Sequence, residues 1–345
     1  MKNKVIRNML IPGVVALVVI ALPALLINFG VISGYPAQII TLGALNAILA
    51  ISVNMVCGIT GQLSLGQAGF EALGAYAVVI LTSKLNVPLP FSIVLGGLVA
   101  AIFGFLIGFP TLRLEGDYLA IVTLAFCEII RVVLINLKGI TGGPNGMQFS
   151  TVFTTSLSYG ALISYLVVMT SLVLIIVLLQ NFLRSTYGRA ILAVREDEVA
   201  ANSNGIDVFK YKMIGFVIAS FIAGIVGALY APFIGFIQPK DFDFNASIND
   251  LIFVVLGGMG SITGGIIAAF VLTALQEVLR FLKDYRLLIY PVILIFVMLF
   301  RPQGLLGTKE LSFVKVYDGI PGFVKSLVKK IKGSRKDEGR EVKHE

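Results

Sequence analysis

Apolar runs bounded by Gly, Pro, Asn or charged residues recur along the whole chain and predict a bundle of membrane-spanning helices. At 1.5 Å rise per residue, about 20 apolar residues cross the roughly 30 Å hydrocarbon layer. Runs near that length lie at 10–29, 37–57, 66–83, 90–110, 118–137, 159–183 and 213–236. The run at 248–256 is too short for a full span and stops at GGMGS, 257–261; it reads as a half-length helix, followed by apolar runs at 262–282 and 287–300. The first run is too long for a signal-peptide core and has no A-x-A pattern close behind it, so a retained helix is expected.

Basic residues set the direction of threading, because Lys and Arg collect on the cytoplasmic side. They concentrate at Lys2, Lys4 and Arg7, within 184–212, and after Phe300. Both termini are therefore expected in the cytoplasm, which requires an even number of crossings. Counting the short run as one gives ten. That count leaves Arg280, Lys283 and Arg286 outside, against the charge rule, and an eight-span version stays open. The chain divides into a transmembrane domain, 1–300, with a cytoplasmic insertion at 184–212, and a basic tail, 301–345. Within the insertion, RAILAVREDEVAAN (189–202) predicts a short helix with Ile191, Val194, Val199 and Ala200 among charges, and Gly205 supplies its stop. In the tail, Phe323, Leu327 and Ile331 recur at helical spacing among Lys325, Lys329, Lys330 and Lys332, as a membrane-surface helix or a solubilising, orientation-setting segment would have them.

Composition agrees with the pattern and removes whole classes of function. Of 345 residues 57% are apolar and only 13% charged, with a mean hydropathy of +0.94, whereas a soluble chain carries about a quarter charged residues. One integral membrane domain is expected. The single histidine, His344, and two distant cysteines, Cys57 and Cys127, leave too few ligands for a metal or haem, so no metal and no cofactor are expected. The net charge of +8 flanks the spans, which points to orientation rather than to nucleic acid. No glycine is followed by lysine, which excludes a P-loop, and HExxH and CxxC are missing as well; no enzymatic activity is expected. If ATP powers this chain, a separate subunit hydrolyses it and pushes on the insertion.

The densest polar and glycine signal among apolar surroundings is GITGQLSLGQAGF, 58–70, carrying Gln62, Ser64 and Gln67. Irregular backbone at bilayer depth needs protein or a wet cavity around it, so the segment lines a pathway or packs centrally, its glycines allowing close helix approach. Asn46 and Asn54, eight residues apart, share one face of the preceding helix and extend a polar stripe toward it. Such uncharged groups suit passage of a polar solute, and interhelical hydrogen bonding explains them equally well. Among ionisable residues inside spans, Glu128 with Arg131 and Glu277 with Arg280 are spaced three apart as neutralising pairs. Glu71 has no such local partner, and a proton site in an ion-coupled secondary transporter is the rival reading it supports.

Five motifs in order carry a resemblance: GITGQLSLGQAGFEALGAYAVV (58–79), LRLEGDYLAIVTLAFCEIIRVV (112–133), TGGPNGM (141–147), YGRAILAVREDEVAANSNGIDVFKYK (187–212) and VVLGGMGSITGGIIAAF (254–270). The chain resembles the permease subunits of high-affinity branched-chain amino-acid ABC importers of the LivM type, over most of its length. The resemblance implies a multi-pass protein of a bacterial or archaeal inner membrane, paired with a second homologous permease, two ATPase subunits and an external binding protein that delivers leucine, isoleucine or valine. It implies an ATPase-coupling role for Arg189, Glu196, Glu198, Ala200, Ala201 and Gly205, and permeases for urea or short amides share much of the pattern. In the expected topology the loop Gly142, Gly143, Pro144, Asn145 and Gly146 lies outside, where the binding protein would dock, although turn formation explains those residues equally well. Two departures stand out: EVAANSNG at 198–205 differs from the EAAxxxG of many importers, and Glu71 stands where an uncharged residue is expected.

Overall fold

A computed structural model of the chain describes residues 20–27, 29, 34–114, 116–149, 157–301, 303–305 and 307. Nearly all of them belong to one compact unit, Leu22–Lys309. The expected first span at 10–29, apart from 20–27 and 29, and the tail pattern of Phe323, Leu327 and Ile331 lie outside the described residues.

The fold is all-α and polytopic. Helix α1 covers Gly34–Asn54 and runs on through one π-helical turn, Met55–Ile59; α2 is Gln67–Leu85, α3 Leu89–Thr111, α4 Asp117–Asn136 and α5 Leu157–Arg184. Two short helices follow, α6 (Thr186–Glu196) and α7 (Glu198–Ser203), then α8 (Val208–Ile234), α9 (Phe244–Gly257), α10 (Ile262–Val278) and α11 (Arg286–Phe300). Strands β1 (Met147–Gln148) and β2 (Phe236–Ile237) pair antiparallel, Met147 opposite Ile237. Among the described residues seven helices are long and apolar enough to cross a membrane: α1 to α5, α8, and α10 with the turn that extends it. The short run after residue 243 is a helix of 14 residues, roughly 21 Å long at helical rise and so well short of a bilayer. It starts a turn earlier than its apolar run because Asp243 caps it, accepting from the amide of Ala246 at 3.0 Å.

Helix α1 occupies the centre, against α5, α8, α9 and α10, and its residues from Gly43 to Asn54 are nearly all buried. Helices α2 and α8 approach backbone to backbone: a Cβ at Gly74 would overlap the carbonyl of Gly224, and one at Gly227 would overlap that of Glu71. Small residues supply this contact because lipid tails are as apolar as leucine, and close packing is what remains to hold helices together. Helices α3, α4 and α11 turn Phe91, Ile102, Leu106, Ile121, Leu288, Ile295 and Leu299 outward, as faces meeting lipid do.

Cross-links between loops sort the helix ends into two sets. At one end Lys84 Nζ donates to the carbonyls of Gly139 and Ile140, β1 pairs with β2, and Tyr35 bonds Glu277 and Arg280. At the other, the Phe109 ring packs edge-on to Phe209, Leu65 N donates to Thr123 Oγ1 at 3.1 Å, and Leu305 N donates to Leu256 O at 2.7 Å. Both sequence-spaced ion pairs form, Arg131–Glu128 at 2.7 Å and Arg280–Glu277 at 3.3 Å.

Candidate functional site

The expected single helix at 189–202 is two helices, broken at Asp197 (φ −160, ψ 110). The break has a local cause: Asp197 Oδ1 accepts from Ala200 N at 2.9 Å and so starts α7, while Ser185 caps α6 through Gly188 N. Ile191 and Val194 stay buried on α6, but the redirected chain leaves Val199 78% exposed, with Glu198 and Ala200 beside it at the surface and Ala201 turned inward. Gly205 terminates α7 with φ +78; its amide donates to Asn202 O and that of Ile206 to Ala201 O, the paired bonds of a Schellman stop. Glu198 is clipped to α8 by Lys212, Oε1 to Nζ 2.5 Å. Arg189 is exposed and satisfies the end of α5, donating to Arg184 O at 3.0 Å, and Glu196 pairs with Arg195.

Arg195 is the residue the sequence reading passed over. Its Nη1 donates to Gly58 O at 2.9 Å, its stem lies against Gly61, and Gly260 faces the same guanidinium. It thus joins α6 to both glycine breaks of the bundle, 58–62 and 258–261. The first break opens from the π turn of α1, where Thr60 N reaches Met55 O and Gln62 N reaches Val56 O, each at 3.0 Å. Asn54 fastens it to the second, its Oδ1 accepting from Gly260 N at 2.8 Å.

Of the polar stripe, Asn54, Gln62, Ser64 and Gln67 are all buried near the first break. Gln67 accepts from Ser52 Oγ at 3.2 Å, while Gln62 Oε1 and Nε2, Gln67 Nε2 and Asn54 Nδ2 have no hydrogen-bond partner among the described residues. Asn46 sits apart from these, donating to Thr273 Oγ1 at 2.9 Å and lining a cavity of about 180 Å³. That cavity, open on one side, is lined by α1, α2, α8, α9, α10 and the segment after β2. Its walls include Leu45, Leu49, Val226 and Phe253, and its polar groups include Glu71, Tyr230, Asp241, Asn249, Asp250 and Gln276. Glu71 is 8% exposed and Asp250 5% exposed, and Asp250 Oδ2 lacks a hydrogen-bond partner among the described residues. Asp250 escapes a reading of the sequence because it lies near the start of the apolar run at 248–256; an acidic residue two turns after the capping Asp243 was the available signal. Among the described residues no group of three or more His, Cys, Asp or Glu is arranged to hold a metal ion.

At the opposite end from Arg195, a 3-10 turn, Gly143–Asn145, leaves Pro144 and Asn145 exposed. Thr141 anchors it, donating to Leu134 O at 2.6 Å and accepting from Gly143 N, and Gly146 presses against the carbonyl of Ile237.

Residues 35–300 match the family described as branched-chain amino acid transport system, permease component. The chain is 39% identical over 294 residues to the high-affinity branched-chain amino acid transport system permease protein LivM of Salmonella typhimurium, covering 78% of this chain and 69% of that protein. It is 38% identical to LivM of Escherichia coli over the same shares, and 27% identical to the permease protein LivH of Escherichia coli, covering 80% of this chain and 95% of LivH. No solved structure matches the chain.

Proposed function

Since the chain belongs to the family of branched-chain amino acid transport permeases, we propose that it is one of two homologous permease subunits of an ATP-driven importer for leucine, isoleucine and valine. In this reading it is a transport subunit rather than an enzyme, and it works with two ATPase subunits and an external binding protein in the inner membrane. The observation that carries the reading is the mounting of α6 and α7. A short helix pair with an exposed Val199 is fixed to α8 by the Glu198–Lys212 ion pair and to the glycine breaks by Arg195. Arg189, Glu196, Glu198, Ala200 and Gly205 form the ATPase-facing surface, and Ala201 packs beneath it. Closure of the ATPase pair displaces it as a rigid piece, and the glycine breaks that it holds change the access of the pathway. The buried amides of Asn54, Gln62 and Gln67, whose NH2 groups have no partner among the described residues, line the pathway with Ser64 near its cytoplasmic mouth, and Asn46 lies deeper.

Proteoliposomes holding the permease pair and ATPases are expected to take up leucine only with ATP and the binding protein. Gly205→Pro forces φ to about −65° where +78° is needed, and Glu198→Lys sets two ammonium groups face to face. Each variant is expected to insert normally and lose at least about tenfold in uptake, since a strained backbone position costs about 1–3 kcal/mol and a charged hydrogen bond about 1.5–3 kcal/mol. Full uptake in both variants would remove the coupling assignment.

We place the Arg195 end in the cytoplasm because Arg113, Arg184, Arg189, Lys210, Lys212 and Arg301 flank the spans there. Ten crossings follow, with the segment at 10–29 and the short helices α9 and α11 counted, and both termini are cytoplasmic. The loop Gly142, Gly143, Pro144, Asn145 and Gly146 then faces the binding protein. In a variant with Cys57 and Cys127 replaced, a cysteine at Asn145 is expected to react with an impermeant maleimide in intact cells and one at Ser203 only after permeabilisation; the reverse labelling would invert the topology.

A further inference from the structure

We propose that Glu71 and Asp250 receive the α-ammonium group of the amino acid as it passes through the bundle, while the apolar wall of the same cavity takes its side chain. This rests on the importer reading, and it assigns the charged cavity a ligand. The two carboxylates come from α2 and α9, are at least nine-tenths buried, and border one space of about 180 Å³. Among the described residues no Lys, Arg or His lines that space, Asp241 adds a third acidic group to its wall, and Asp250 Oδ2 has no hydrogen-bond partner. Buried carboxylates without a counter-charge are costly; each is neutralised either by a proton or by a positive charge that arrives with a ligand, and the shared cavity gives such a ligand room. A metal ion is a poor candidate for it, because the acidic groups are not arranged as a metal site among the described residues.

A primary ammonium group carries three donors on a compact positive head and can bridge two carboxylates. Leu45, Leu49, Val226 and Phe253 offer an aliphatic side chain its surroundings, and the amides of Asn249 and Gln276 offer donors to its carboxylate. The arrangement also discriminates: urea or a neutral amide would displace water from both carboxylates and compensate neither. Glu71 is held in place by the backbone contact between its carbonyl and Gly227, while Asp250 rides on the short helix that ends at the second glycine break. A ligand spanning the two therefore ties the fixed α2–α8 pair to α9, next to the loop that Asn54 and Arg195 hold.

The test uses the assembled complex of both permeases and both ATPases in nanodiscs, without the binding protein. Thermal unfolding is followed with leucine, with isoamylamine, which lacks the carboxylate, and with 4-methyl-2-hydroxypentanoate, which lacks the ammonium. Leucine and isoamylamine are expected to raise the unfolding temperature, and the hydroxy acid to leave it unchanged. Glu71→Gln and Asp250→Asn are each expected to raise the leucine concentration for half effect by at least about tenfold, as loss of one charged hydrogen bond does. In proteoliposomes the same variants should lose leucine uptake to a similar degree while loaded binding protein still stimulates ATP hydrolysis. Stabilisation by the hydroxy acid equal to that by leucine, no stabilisation by leucine up to its solubility limit, or wild-type uptake in both variants would each overturn the proposal. The ligand series on the unaltered complex decides the matter if a variant does not assemble. Absence of ATP-dependent leucine uptake by the unaltered complex would instead sink the importer reading, and ammonium-specific stabilisation would survive that result.

Discussion

Gly227→Leu is expected to reduce recovered folded permease by more than about tenfold, a factor that corresponds to 1.4 kcal/mol. Even a Cβ at this position would overlap the carbonyl of Glu71 and crowd Ala75 N. The obstacle is backbone on a neighbouring helix, so no rotamer change relieves it, and the cost exceeds the 1–3 kcal/mol typical of an over-packed core whose side chains can shift. Opening the α2–α8 seam would also loosen α3, whose Gly96 packs on the backbone of Gly74 and on Ala228 from the other side. In water, hydrophobic gain elsewhere would resist such separation; in lipid that reserve is missing, because an exposed apolar helix face is already solvated. Gly139→Ala is the control, since nothing lies within 4 Å of the added methyl. Membrane-fraction yield and a monodisperse elution profile distinguish the two, and equal recovery would show that α2 and α8 are not held by close backbone contact.

The spans were legible because each long helix is announced by a length of apolar sequence that only lipid explains, and Gly205 ends its helix where a φ of +78 demands glycine. The pairs Glu128–Arg131 and Glu277–Arg280 were legible because helix periodicity fixes neighbours three residues apart. The region after Ser247 was the least readable: its half-length helix could be expected, but the start of α9 at Phe244 and its fit against α10, where Gly257 meets Gly264, are not set by hydropathy. The break at Asp197 was hidden because its charged neighbours are good helix formers, and the cap competes only once the chain bends. Of the candidate site, the stripe from Asn46 to Gln67 could be read as polar, but not as divided between a cavity and a loop. Glu71 was visible as an anomaly without a partner; Asp250 lies 179 positions away in sequence, and only the packing of α9 against α2 brings them to one space.

Arg195→Ala is expected to separate ATP hydrolysis from uptake. In sequence Arg195 is one charge among several in an exposed insertion, a context in which a solvated side chain is the ordinary outcome. In the fold its guanidinium reaches 137 positions back to Gly58 O at 2.9 Å, passes over Gly61, and faces Gly260. Glu196 holds the other edge of the same group, with Oε1 accepting from both Nε and Nη2. In the proposed coupling a motion of α6 would be delivered to the backbone of the first break through the Gly58 carbonyl, and to the second through the contact at Gly260, rather than to a side chain that could rotate away. A charged donor to a partly buried carbonyl contributes about 1.5–3 kcal/mol, so removing it shifts any two-state balance that depends on it by roughly 10- to 100-fold. The effect should fall on leucine imported per ATP hydrolysed, because the variant leaves in place α7, its Val199 and the Glu198–Lys212 clip, the surface proposed to meet the ATPases. Arg195→Lys keeps the charge but loses the planar fork that serves Gly58 and Glu196 together, and an intermediate ratio is expected. Uptake and phosphate release measured on the same proteoliposomes check this: an unchanged ratio in Arg195→Ala would mean that the glycine breaks move without being pulled from α6, and a parallel loss of both activities would place Arg195 in assembly of the complex.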